Sequence, residues 1–394
     1  MKKIVINALQ YKNNSSGIGV VVRDLFGQFT RCTDSRCSVL LMQDAPEFLC
    51  SEDTEQIRVP VRYQDGLKRV LFRLFSVGKY CRDSVLLTTD ASGPMFLPKS
   101  CTMLPLVSDL ALYRMPEVYD RSRVLLWKFQ YSVPFRQAKY FLAVSEYTKK
   151  DMTEILGIPE DRIYVVYNSC SESVKRLEPE NSDDCAALTR VKEKYLLPEH
   201  FVLFIGNNNP RKNLKRIMQA FDLMKTGHAD SAKADKADSR ISECQLVIAG
   251  EQGWKFSREE ALQNITHKDD IRFIGFVPDE DMPALYSSAD LFVFPTLYEG
   301  FGIPVIEAQR CGVPVLTSNV TALPEVGGDG AAYADPYNVD DICEGMTRIL
   351  TDKAYAGDLI QKGFTNCQRF SWEKSAKRLD EIIKEICAKE SAGK

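Results

Sequence analysis

The chain has 394 residues, 44% of them hydrophobic, enough for two cores of about 150 to 200 residues each. It has no apolar run of 18 residues, and the apolar run after Met1-Lys2-Lys3 is only Ile4-Val5-Ile6, too short for a signal peptide. A cytoplasmic protein is therefore expected, in solution or at the inner face of the cell membrane.

The twelve cysteines, from Cys32 to Cys387, contain no Cys-x-x-Cys pair and read as small buried hydrophobes in a reducing compartment. His200, His228 and His267 lie far apart, without metal-ligand spacing. The net charge of −3 conceals a division: residues 1–170 hold 23 Lys and Arg against 18 Asp and Glu, and the remainder 28 against 36. A basic first half implies an anionic partner for that half; nucleic acid is not expected.

In chain order, residues 3–9 read as a strand, 13–19 as a Gly/Ser/Asn loop and 20–30 as a helix, the opening of an α/β unit. Apolar runs bounded by turn residues follow at 39–42, 85–88, 103–107 and 140–144 and read as buried parallel strands. After a further run at 163–167 the chain turns polar through Asn181-Ser182-Asp183-Asp184, which reads as a linker. The rhythm restarts at 201–205 and repeats at 245–249, 271–274, 291–294 and 313–317, giving a second doubly wound sheet. Residues 225–242, rich in Ala, Asp, Lys and Ser, read as a surface insertion. From Phe370 onward a charged helix carries the stripe Leu379, Ile382, Ile383 and Ile386, which needs a docking partner. The expected organisation is a first domain over 1–170, a linker over 171–197, a second domain over 198–370 and a terminal helix over 371–394.

The most informative segment runs from Phe294 to Glu307. It leaves a buried strand, turns through Gly300 and Gly302, and enters a helix with Pro304 in its first turn. Such a helix start favours an anion such as phosphate, through its N–H groups and its dipole. Glu299 precedes the turn and Glu307 lies inside the helix. Two carboxylates in contact with a phosphate would repel it, so they suit sugar and ribose hydroxyls on either side. The plainer alternative has Glu299 capping the helix and Glu307 on a solvated face.

Tyr298-Glu299-Gly300-Phe301-Gly302 with Glu307, Cys311-Gly312-Val313-Pro314-Val315 and Ala322-Leu323-Pro324-Glu325-Val326 resemble glycosyltransferase family 4, the retaining group 1 enzymes of GT-B fold. The likeness continues in Phe204-Ile205-Gly206, Pro210-Arg211-Lys212-Asn213, residues 271–277, Ala143-Val144-Ser145 and Gly17-Ile18-Gly19. It covers almost the whole chain and is densest over 201–336. The resemblance implies two Rossmann-like lobes facing across a cleft, the donor in the second and the acceptor in the first, with the terminal helix crossing back to the first lobe.

It also implies roles. Glu299 is placed against the donor sugar's hydroxyls and Glu307 on the ribose; Gly300, Phe301 and Gly302 form the turn between them. Arg211 and Lys212 face the diphosphate, whose growing charge fixed cations stabilise without a metal. Gly206 precedes that basic pair, and Gly275 and Phe276 hold the nucleotide base. Gly17 and Gly19 approach donor phosphate or acceptor. Ser108 stands where the family usually has a histidine beside the donor sugar, which leaves Asp109 as the nearer polar catalytic candidate.

Asp279-Glu280-Asp281 fits an Asp-x-Asp metal pattern, but its place just before a helix at 282–287 suits a cap and dipole partner instead. Residues 67–82 and 121–139 carry Lys and Arg with no acid. They read either as helices with the apolar stripe in the core or as contacts with an anionic membrane or a lipid-diphosphate acceptor. The expected activity is metal-free and cofactor-free retaining transfer of a hexosyl group from a nucleoside-diphosphate sugar to a glycan or lipid-linked acceptor. GDP-mannose and a surface polysaccharide are the first guess. A non-catalytic nucleotide-sugar-binding protein, or a phosphorylase or epimerase on the same fold, is the alternative.

Overall fold

The computed structural model describes residues 2–12, 17–89, 93–229, 238–251, 253 and 257–392. The chain folds as two compact units, one of Met1–Ser169 with Phe370–Lys394 and the other of Cys170–Arg369.

The first unit holds a seven-stranded sheet of β1 (Lys3–Asn7), β2 (Cys37–Met42), β3 (Glu55–Val59), β4 (Ser84–Thr89), β5 (Thr102–Val107), β6 (Phe141–Ala143) and β7 (Ile163–Val165). Their order is β3-β2-β1-β4-β5-β6-β7, and the pairings are parallel. β3 was not legible as an apolar run because it is a sheet edge: Glu55, Gln56 and Arg58 are exposed along it. Gly17 and Gly19 are not in a loop as expected. They open a helical stretch of Gly17–Val20, a π-helical segment Val21–Phe26 and Gly27–Cys32, and Asn13 to Ser16 lie outside the described residues. The terminal helix Trp372–Ala392 packs on this stretch. Its stripe Leu379, Ile382, Ile383 and Ile386 is at most 2% exposed, and Asp380 accepts from the Thr33 hydroxyl at 2.6 Å.

The second unit holds β8 (Phe201–Ile205), β9 (Gln245–Ala249), β10 (Ile271–Gly275), β11 (Leu291–Phe294), β12 (Val315–Ser318) and β13 (Ala332–Ala334). They lie in the order β10-β9-β8-β11-β12-β13, with parallel pairings. The chain winds outward one way from β8 and the other way from β11. That topological switch point opens a crevice at the carboxyl ends of β8 and β11, where doubly wound sheets bind ligands.

Two expectations are corrected in this unit. The supposed linker is ordered: Asn181 caps the helix Ser182–Tyr195 by accepting from the backbone N–H groups of Asp183 and Asp184, and Val191 is fully buried in the core. The polar residues around 181 are a capping signal, not a flexible joint. The expected surface insertion at 225–242 is anchored at both ends. Lys225 is buried, donates to Cys244 O at 3.2 Å and pairs with Asp270 at 2.9 Å, and Ile241 is wholly buried; residues 230–237 lie outside the described ones.

Asp281 makes no capping bond at the start of the helix Met282–Ser287. Its buried carboxylate instead takes Arg190 at 2.8 Å, Lys194 at 2.7 Å and the Tyr195 hydroxyl at 2.8 Å, clamping the Ser182–Tyr195 helix to the start of the helix Met282–Ser287. Burial alone would raise this carboxyl, but the three partners outweigh it and hold it below the usual carboxylate range. Replacing Asp281 by Ala is expected to cost about 2 kcal/mol from lost charge-assisted bonds, read as a lower melting temperature at neutral pH. A folded-state carboxyl held low stabilises above its ordinary pKa and loses that contribution as pH falls through its folded value. The difference between Asp281→Ala and the parent protein should therefore shrink in acid.

Candidate active site

The loop after β8 and the loop after β11 meet at the switch point. Asn213, buried and left-handed at φ 63°, joins them: its side-chain amide donates to Pro295 O at 2.8 Å and Pro336 O at 2.7 Å. The backbone N–H of Leu297 donates to Arg211 O at 2.9 Å. The basic turn Pro210–Lys212 is thereby pinned against the segment leading to Glu299.

Glu299, 8% exposed, sits between the two cations. Lys212 Nζ donates to its Oε1 at 2.8 Å and Arg211 Nη1 lies 3.4 Å from its Oε2. Arg211 also donates to Tyr298 O at 3.1 Å, and Lys212 lies over the Phe294 ring, 4.8 Å from its centroid. From the other side Thr321, left-handed at φ 62°, accepts the Glu299 N–H at 3.3 Å on its hydroxyl. Burial would raise the Glu299 carboxyl, but Arg211 and Lys212 overcome it and hold it below the usual range. Glu299 is thus an ionised acceptor, and the triad keeps one net positive charge, suited to an anion next to a hydroxyl-bearing group.

The chain then turns through Gly302, at φ 102°, where a Cβ would meet Leu323 Cδ2 at 2.6 Å. Gly302 is the N-cap of the helix Ile303–Arg310, with Pro304 in its first turn. Glu307, half-buried on that helix, does not face open solvent. The fully buried Tyr286 hydroxyl donates to its Oε2 at 2.8 Å. Burial pushes the Glu307 carboxyl up to about 7, against the lowering effect of the Tyr286 bond and with Asp279 adding to the rise.

Gly206 donates its N–H to Ala249 O at 2.9 Å, and Gly250 N–H donates to Gly275 O at 2.7 Å, so the ends of β8, β9 and β10 are tied in sequence. A Cβ on Gly250 would meet Gly206 O at 2.2 Å, which is why only glycine fits there. Gly275 is left-handed at φ 74° and Phe276 is 52% exposed, an uncovered aromatic at the crevice edge.

Gly17, Gly19, Ser108 and Asp109 belong to the first unit. Gly17 and Gly19 follow β1; Ser108 and Asp109 follow the carboxyl end of β5, half-buried. Asp109 Oδ1 accepts the Ala111 N–H at 3.0 Å, a turn contact two residues along the chain at the start of the short helix Ala111–Arg114, a local role that the sequence reading did not consider. Arg114 in turn binds the buried Asp151 at 2.6 Å, holding this loop to the helix Glu146–Leu156. Tyr286, Thr321 and Asn213 were missed as site residues; only the adjacency of Asn213 to Arg211 and Lys212 could have marked one of them.

Two doubly wound parallel-sheet units in one chain are the architecture of the GT-B fold. Residues 189–366, most of the second unit, match the family described as "Glycosyl transferases group 1". O-antigen chain mannosyltransferase B of Escherichia coli is 33% identical over 267 residues, 67% of this chain and 65% of that protein. The aligned part thus spans a little under two thirds of that relative. Among solved structures, a sucrose-phosphate synthase from Thermosynechococcus elongatus superposes with TM-score 0.72 at 17% identity, covering 98% of this chain and 100% of that one. Anabaena Alr3699/HepE in complex with UDP and glucose superposes with TM-score 0.69 at 13% identity, covering 98% and 100%. These structural likenesses establish the fold. Among the described residues, no helix is long and apolar enough to cross a membrane.

Carbon-13 NMR of labelled glutamate should find Glu307 titrating near pH 7. Tyr286→Phe removes the bond that lowers this carboxyl, so its midpoint should move upward; an unchanged or lower midpoint would contradict the assigned contact.

Proposed function

We propose that the protein is a retaining hexosyltransferase that moves a sugar, mannose from GDP-mannose as the first choice, from a nucleoside diphosphate to a sugar hydroxyl. The observation that carries this reading is the buried triad of Glu299 with Arg211 and Lys212 at the switch point of a group 1 domain. The choice of mannose and of a surface polysaccharide follows the O-antigen mannosyltransferase that the chain resembles. The bound UDP and glucose in a neighbour of the same fold support a nucleotide-sugar donor. The acceptor is a glycan or a lipid-linked sugar, so the protein's work lies at the inner face of the membrane.

In this reading Glu299 accepts hydrogen bonds from donor sugar hydroxyls and Glu307 from the ribose. Phe276 covers the base, and Gly17 and Gly19 approach the phosphate. Arg211 and Lys212 stabilise the departing diphosphate, so no metal or cofactor is required. The acceptor oxygen bonds to the anomeric carbon as its bond to the phosphate oxygen breaks on the same face. The acceptor proton passes to that phosphate oxygen. Ser108, in place of a histidine, leaves this proton transfer to the leaving group, with Asp109 as the nearer polar candidate beside it in the chain.

A panel of nucleoside-diphosphate sugars, followed by mass spectrometry, tests the proposal. Transfer or slow donor hydrolysis is expected with one donor and should persist in EDTA. Lys212→Ala is expected to lower turnover by about 10²- to 10³-fold, as loss of one fixed donor in a preorganised site does. Glu299→Ala should abolish turnover while the protein stays folded. Donor binding without turnover on any acceptor would instead support a non-catalytic nucleotide-sugar-binding protein, the reading that Ser108 favours. Turnover requiring inorganic phosphate, or no acceptor, would indicate a phosphorylase or an epimerase.

A further inference from the structure

The helix Gly66–Phe75 in the first unit is packed the wrong way round for a soluble surface. Leu67, Leu71 and Phe75, four residues apart and so on one face, are 73%, 46% and 52% exposed. The opposite face carries the buried Phe72 and the half-buried Arg69 and Arg73, with Arg69 donating to Tyr63 O at 3.0 Å. Apolar side chains thus face outward while guanidinium groups point inward, the reverse of what water selects. The reading that places this stripe in the core is corrected.

The exposed face continues onto neighbouring elements. Phe96, 67% exposed, lies with its ring centroid 6.1 Å from that of Phe75. The segment bearing it is bonded to both basic helices: Met95 N–H donates to Leu74 O at 2.8 Å, and Gln137 Nε2 donates to Pro94 O at 2.9 Å. The helix Arg121–Gln137 adds Leu125 and Phe129, 73% and 55% exposed. Lys68, Lys99, Arg121, Lys128 and Arg136 are exposed among them. No acid occurs in residues 66–82, 93–100 or 121–139; Asp65, Asp83 and Asp120 stand only at the margins.

We propose that this face docks on an anionic lipid bilayer, inserting Leu67, Leu71, Phe75 and Phe96 among the acyl chains while the surrounding lysines and arginines meet the headgroups. The charge selects the occupant. A second copy would bring like-charged faces together, whereas an anionic bilayer complements both the apolar and the cationic parts. The surface is independent of the donor chemistry and stands or falls separately from it.

Sedimentation of the full chain with vesicles tests the proposal. Binding to vesicles of phosphatidylglycerol and phosphatidylcholine in equal parts should exceed binding to phosphatidylcholine alone by at least about tenfold, and should weaken with salt. Leu71→Ser/Phe75→Ser and, separately, Lys68→Glu/Lys128→Glu should each lose about tenfold or more of that binding. Both variants should keep the parent melting temperature and the parent donor turnover in vesicle-free buffer. Equal binding to neutral vesicles, undiminished binding by both variants, or a concentration-dependent dimer abolished by Leu71→Ser/Phe75→Ser would overturn it. Because turnover is read without lipid, failure of the docking surface and failure of the transferase reading give different results.

Discussion

The second unit is organised around one electrostatic constraint: a carboxylate, Glu299, buried between Arg211 and Lys212 at the end of two adjacent strands. Charges removed from water are costly unless paired and hydrogen-bonded. Pairing here requires that the loop after β8 and the loop after β11 be held in register. Asn213, the bond from Leu297 N–H to Arg211 O, and Thr321 supply that register. The left-handed backbone at Asn213 and Thr321 shows that local conformation yields to the geometry of the triad.

The two glutamates of the cassette are treated in opposite ways by the same low-dielectric surroundings. Glu299 is ionised because two cations touch it, whereas Glu307, with a neutral phenol as its donor among the described residues, is pushed by burial up to about 7. A fixed anion and a carboxyl near neutrality, eight positions apart on the chain, therefore offer different hydrogen-bonding chemistry. In the first unit Asp109 accepts the Ala111 N–H in a tight turn and Arg114 pairs with Asp151, so these polar groups shape the loop after β5.

Much of this architecture was legible in the chain. Apolar runs bounded by turn residues marked eleven expected strands, and the structure places a strand at each of them. β3 and β13 escaped because edge and terminal strands need not be apolar throughout: β3 carries Glu55 and Arg58, and β13 is only three residues long. The stretch at 171–197 was misread because Asn, Ser and Asp signal both loops and helix caps, and only the buried Val191 separates the two.

The sequence by itself determined the two doubly wound sheets, the glycine turn into the helix at Ile303, and the residue types of the candidate site, because these depend on neighbours within a few positions. Tertiary structure alone decided that Glu299 lies against Arg211 and Lys212, residues 88 and 87 positions away, and that Tyr286 reaches Glu307. It also decided that the stripe of Leu67, Leu71 and Phe75 faces outward. Periodicity shows that a helix has an apolar face, but whether anything packs against that face depends on residues brought there by the rest of the fold.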